Sequence, residues 1–125
     1  MRKKRPINLN LMTIKFPVAA ISSILHRASG LLLFLLIPVG LWGLGLSFTP
    51  DGFILLQHAN TCIVIRLIEW FMLAGLIYHV IAGIRHLLMD AGWFEHKESG
   101  PKAAWGVIII SGLLILAVGG WLLCK

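Results

Sequence analysis

Acidic side chains are scarce in this sequence, with 5 Asp and Glu against 11 Lys and Arg, and only 13% of its 125 residues are charged. So little charge excludes a water-facing surface over most of the chain. Cysteine is nearly absent as well. Cys62 and Cys124 stand far apart, with no CxxC pair and no metal-type spacing, and both read as incidental. No flavin-binding motif, iron-sulfur motif or internal repeat occurs. One whole stretch, 103–124, carries no acid, base or histidine, which leaves it packing and lipid contact as roles.

What is abundant is apolar: 58% of the residues are hydrophobic. A bilayer-spanning helix needs roughly 20 mostly apolar residues. The stretches 23–46, 62–89 and 103–124 each meet that length. The expected fold is therefore an all-α integral membrane protein with three transmembrane helices. An N-terminal cytoplasmic arm, 1–22, precedes a membrane anchor domain, 23–125.

The net charge of +6 does not call for nucleic acid, because four of the bases, Arg2, Lys3, Lys4 and Arg5, lie just ahead of the first span. Positive residues beside a span stay cytoplasmic. The connection 47–61 has no Lys or Arg, whereas Lys97 and Lys102 lie in the second connection. The N-terminus and second connection are expected inside, the first connection and Lys125 outside. A cleavable signal peptide is not expected, given the long polar lead and His26 and Arg27 at the start of the first span. Pro17 reads as a helix-start signal, Pro38 as a kink inside the first span, and Asp51-Gly52 as a turn. Arg66 and Glu69 are spaced to pair. His58 and His96 fall in expected loops, and Trp93 and Trp105 at headgroup level.

Ionisable groups within a span are costly and mark functional sites. Here they form two clusters. In SILHRASG at 23–30, helical neighbours three or four apart put Ser23, His26, Arg27 and Gly30 on one face. In HVIAGIRHLLMD at 79–90, Met72, Gly75, Gly83, His86 and Asp90 fall within roughly 40° of His79 at about 100° per residue. Neutral imidazole is a haem-iron ligand, and glycines beside it leave room for a flat macrocycle. His79 lies about 15 Å from the span end at ~1.5 Å per residue, near mid-membrane. On the residues alone it is a ligand or a core histidine bonded to another helix. Both clusters belong to the same leaflet, because the first span starts where the second ends. Arg27, His26 and His86 can meet haem propionates, and Ser23 and Arg27 can donate to a quinone carbonyl. Arg27 snorkelling to headgroups and Asp90 closing its helix beside Arg85 are the plainer readings.

These motifs, with RPINL at 5–9 ahead of them, resemble the succinate dehydrogenase cytochrome b subunit family. The resemblance implies His79 as axial ligand of haem b, Ser23 and Arg27 as ubiquinone-site residues, and His26, Arg27 and His86 near the propionates. It also implies a flavoprotein, an iron-sulfur protein and a second membrane anchor as partners. The second anchor would share the haem, since a straight helix cannot bring His86 to the iron that His79 holds. The expected role is membrane anchoring and quinone reduction in a bacterial cytoplasmic (inner) membrane, with succinate chemistry elsewhere. The alternatives are a fumarate reductase anchor, a haem-free structural anchor and a small transporter component, the last disfavoured by the apolar third span.

Overall fold

The computed structural model describes residues 16–94, 96 and 98–124. The basic run at 2–5, the RPINL stretch, Lys97 and Lys125 lie outside the described residues. Four helices follow one another: α1 (Val18–Ser47), α2 (Pro50–Ala59), α3 (Ile63–Asp90) and α4 (Ser99–Leu123). No strand occurs among the described residues. The long helices α1, α3 and α4 are each long and apolar enough to cross a membrane. The fold is thus all-α with three candidate spans.

Local chemistry sets the helix ends. Pro17 is the N-cap of α1, in extended conformation, and its carbonyl accepts from the amides of Ala20 and Ile21 at 2.9 and 3.2 Å. Pro38 sits inside α1 without ending it, as membrane helices tolerate. At the end of α3, Gly92 adopts φ of 86°, a conformation open to glycine at little cost. There the amide of Trp93 reaches the Leu88 carbonyl and that of Gly92 the Met89 carbonyl, both at 2.9 Å. This paired closure satisfies carbonyls that the helix end would leave bare.

Two segments differ from the sequence expectation. Asp51-Gly52 is not a turn between spans but lies in the first turn of α2. Thr49 caps that helix, its Oγ1 accepting from the Gly52 amide at 3.2 Å, with Pro50 and Asp51 following. Threonine at the cap, proline next and an acid in the first turn are all helix-start features, and they outweigh the Asp-Gly turn preference. Gly52 is buried, and a Cβ there would collide with the Leu46 carbonyl. His58 is consequently helical, though exposed, while His96 lies in a bend and is exposed. Second, α4 begins at Ser99, ahead of the expected 103, with Pro101 in its first turn, where a missing amide proton costs nothing.

α3 is the central helix: α4 packs along one side of it and α1 along another. The α3/α4 seam is tight. Trp70 Nε1 donates to the Ile115 carbonyl at 2.9 Å, and Gly119 makes room for that indole, since a Cβ there would lie 2.6 Å from Nε1. Ser111, buried in α4, returns its hydroxyl to the Val107 carbonyl at 2.6 Å. Small residues let membrane helices approach closely in this way. Most large apolar side chains point outward, including Leu35, Trp42, Phe71 and Leu116. An outward apolar surface suits lipid or neighbouring helices rather than water.

Candidate histidine cluster between helices α1 and α3

The polar residues singled out on α1 and α3 meet at the end of the bundle where α1 begins and α3 ends. His26 of α1 stacks on His79 of α3, with ring centroids 4.2 Å apart and planes 15° off parallel. On its other side lies His86, at 4.9 Å and tilted by 42°. The His26 ring therefore bridges the two α3 histidines, which stand about 10 Å apart along the axis at ~1.5 Å per residue.

Glycines make this approach possible. A Cβ at Gly30 would lie 2.9 Å from His79 Cε1, and one at Gly83 would lie 3.4 Å from His26 Nε2. Gly75 faces Leu32 of α1 at 3.4 Å in the same sense. The α3 glycines expected to clear space for a macrocycle thus receive α1 side chains.

His79 Nδ1 is within 3.1 Å of Ser29 Oγ and 3.2 Å of the His26 carbonyl. Its Nε2 makes no hydrogen bond among the described residues. By contrast, His26 Nε2 is buried and has no partner among the described residues. An isolated buried polar atom is expensive, so a group brought by a ligand or another chain would relieve it.

Ser23 and Arg27 sit differently. Ser22 and Ser29 are the buried residues of α1, and at about 100° per residue Ser23 lies ~100° and Arg27 ~140° around the helix from Ser22. Ser23 is half-buried and Arg27 exposed. They flank the histidine cluster on the rim of α1, rather than joining it inside this chain.

Tyr78, Ser22 and Ser29, not singled out in the sequence, take interior positions, and Arg85 takes one that differs from its expected pairing. Tyr78 donates its hydroxyl to the Ser22 carbonyl at 3.1 Å and approaches Ser22 Oγ at 3.3 Å. Ser22, His26 and Ser29 recur at helical spacing, a signal present in the sequence but weaker than that of the basic side chains. Arg85 is only 5% exposed and donates from Nη2 to the Gly100 carbonyl at 3.2 Å, with its buried Nε unpartnered among the described residues. It does not pair with Asp90, which is exposed. Five residues apart, the two lie about 140° around the helix from one another. Likewise Arg66 donates from Nε to the Asn60 carbonyl at 2.6 Å rather than pairing with Glu69.

Residues present fit a haem in their donor set: one imidazole nitrogen of His79 without a hydrogen bond among the described residues, His26 and His86 in the same cluster, and Arg27 on the rim of α1 for acidic groups. Among the described residues no cluster of three His, Cys, Asp or Glu forms a bare metal-ion site.

Comparison with known proteins agrees with the motifs. Residues 1–120 match the family described as succinate dehydrogenase/fumarate reductase transmembrane subunit. The chain is 39% identical to the succinate dehydrogenase cytochrome b556 subunit of Coxiella burnetii over 98% of its own length and 99% of that protein's. It is 35% identical to the subunit of the same name in Rickettsia felis, covering 90% and 89% of the two chains. For that of Paracoccus denitrificans the identity is 33%, with 94% and 89% covered. Full-length similarity at this level shows that the chain belongs to the succinate dehydrogenase/fumarate reductase transmembrane subunit family.

Proposed function

We propose that this chain is the haem b subunit that anchors succinate dehydrogenase to the membrane and helps pass its electrons to ubiquinone. His79 would be the iron ligand it contributes, and the second membrane anchor would supply another. His26, Arg27 and His86 meet the propionates, while Ser23 and Arg27 hold the quinone. The observation that carries the reading is His79 itself, with one ring nitrogen engaged by α1 and the other left available at a glycine-lined contact. The relatives' shared name, cytochrome b556 subunit, supports haem b as the cofactor.

Haem, when bound, supplies a one-electron relay in the membrane. The chain's own residues do the rest. A quinone takes up two electrons and two protons, and its carbonyl oxygens gain negative charge as it does so. Arg27, permanently charged, and the Ser23 hydroxyl can donate to one such oxygen and stabilise that charge. Their rim position on α1 leaves them open to a site completed by other subunits, the flavoprotein, iron-sulfur protein and second anchor. Succinate oxidation takes place in the flavoprotein and iron-sulfur protein, outside this chain. The placement follows the positive-inside pattern: a bacterial inner membrane, the arm 1–22 cytoplasmic, the anchor domain 23–125 in the bilayer and the C-terminus periplasmic.

The test is optical and electron-paramagnetic spectroscopy of membranes holding this chain with and without its anchor partner. Co-expression should give a six-coordinate bis-histidine haem, and His79→Ala should abolish it. A bis-histidine spectrum from the lone chain would defeat the shared haem, and its survival in His79→Ala would defeat the ligand assignment. For the quinone, Ser23→Ala and Arg27→Leu should each slow quinone reduction about tenfold or more, as loss of a charge-stabilising donor does. Succinate oxidation by a soluble artificial acceptor should continue. Equal loss of both activities would count against a quinone role.

A further inference from the structure

We propose that Ser29 is a positioning residue for His79: with the His26 carbonyl it holds the proton of the imidazole on Nδ1, and so directs the Nε2 lone pair outward as the ligand. The inference rests on His79 being the haem ligand and adds the residue that prepares it.

The proton positions follow from the valences. The Ser29 hydroxyl donates to the His26 carbonyl at 2.8 Å, a bond to the residue one turn earlier in α1. A hydroxyl has one proton, so Ser29 Oγ meets His79 Nδ1, 3.1 Å away, with its lone pairs. The second neighbour of Nδ1, the His26 carbonyl at 3.2 Å, can only accept. Both partners of Nδ1 are acceptors, so Nδ1 carries the hydrogen. In the neutral ring Nε2 is then the unprotonated nitrogen, the form in which an imidazole binds iron. Ser29 is 9% exposed and Gly30, next to it, lets the His79 ring lie against the α1 backbone. Rotation of the ring out of this contact would lose both acceptors at once.

A ligating histidine whose remote N–H is hydrogen-bonded is fixed in orientation and made more basic. Greater basicity stabilises the ferric state, so the Ser29 contact should keep the haem potential low. Weakening it should raise the potential without removing the ligand.

The experiment uses the assembled complex carrying Ser29→Ala, Ser29→Cys or Ser29→Thr, with haem content, redox titration of the haem band and pulsed EPR of the remote imidazole nitrogen as readouts. Ala and Cys remove or weaken the acceptor, whereas Thr keeps the hydroxyl. Expected for Ala and Cys is retained bis-histidine ligation, altered coupling of the remote nitrogen, and a reduction equilibrium raised by up to about tenfold, ~59 mV for one electron. Thr should match the parent. Loss of haem from Ala and Cys with full retention in Thr would equally support the proposal, because the hydroxyl is then what the site needs. Parent-like potential and coupling in Ala or Cys would overturn it, as would haem loss in all three, which would make Ser29 a packing residue. If His79→Ala itself keeps the spectrum, the ligand assignment fails instead, a result the Ser29 variants cannot produce.

Discussion

The two seams of α3 are built to opposite rules. Against α4 it is closed by an indole over a glycine, a buried serine satisfied within its own helix, and small apolar residues such as Ala82, Ala104 and Val107. Against α1 it is closed by three imidazoles, a serine and a tyrosine, with one buried nitrogen unpartnered among the described residues. The first seam is closed mainly by packing, and its one unsatisfied atom is Arg85 Nε, buried beside the Gly100 carbonyl that Nη2 reaches and without a partner among the described residues. The second places reactive atoms where a further group can satisfy them. Membrane helices gain little hydrophobic drive from meeting each other, so the glycines at both seams provide close contact, and only the chemistry of what fills them differs.

That contrast breaks most sharply at the glycines. Gly30→Leu should displace the His79 ring, since even a Cβ would come within 2.9 Å of it. The expected result is near-complete loss of the haem band from the assembled complex, read by optical difference spectroscopy. A parent-like band would mean that the α1 contact does not position His79. Gly119→Ala, with a Cβ 2.6 Å from Trp70 Nε1, should instead act on stability alone. Overpacking of this kind costs about 1–3 kcal/mol, visible as earlier thermal loss of the complex while the haem spectrum per assembled complex stays unchanged. A changed spectrum would show that the two seams are coupled through α3.

Trp70→Phe sharpens the same comparison. It deletes the bond to the Ile115 carbonyl, and helix-helix hydrogen bonds in membranes average ~0.6 kcal/mol. Thermal stability should fall slightly, with quinone reduction at its parent rate. The smallest effect is expected outside both seams, at Thr49→Ala. Losing the α2 cap costs about 1 kcal/mol, and it should appear as faster amide exchange across Pro50–Ala59 with no change in haem or quinone chemistry. Slowed quinone reduction in that variant would place α2 in the functional unit.

Much of this was legible beforehand because it depends on local composition. Apolar length identifies α1, α3 and α4 as spans, and the cost of burying polar groups in lipid singles out His26, His79 and His86 wherever the helices meet. The end of α3 at Asp90 lies one residue beyond the expected span end, 89. α2 was obscured because Thr-Pro-Asp-Gly carries turn and helix-start signals together, and the choice depends on Gly52 tucking under the Leu46 carbonyl.

By itself, then, the sequence determined an all-α chain with three membrane-length helices, the identity of the residues able to do chemistry, and the convergence of both motifs at one end of the bundle. Only the tertiary structure decided how far each helix is turned about its axis. That rotation puts Ser22 and Ser29 inside and Arg27 on the rim, sends Arg85 toward Gly100 rather than Asp90, and gives His79 its two acceptors on α1. Helical spacing states which residues share a face, but the direction of that face is set by contacts with another helix, and those contacts involve residues some fifty positions away in the chain.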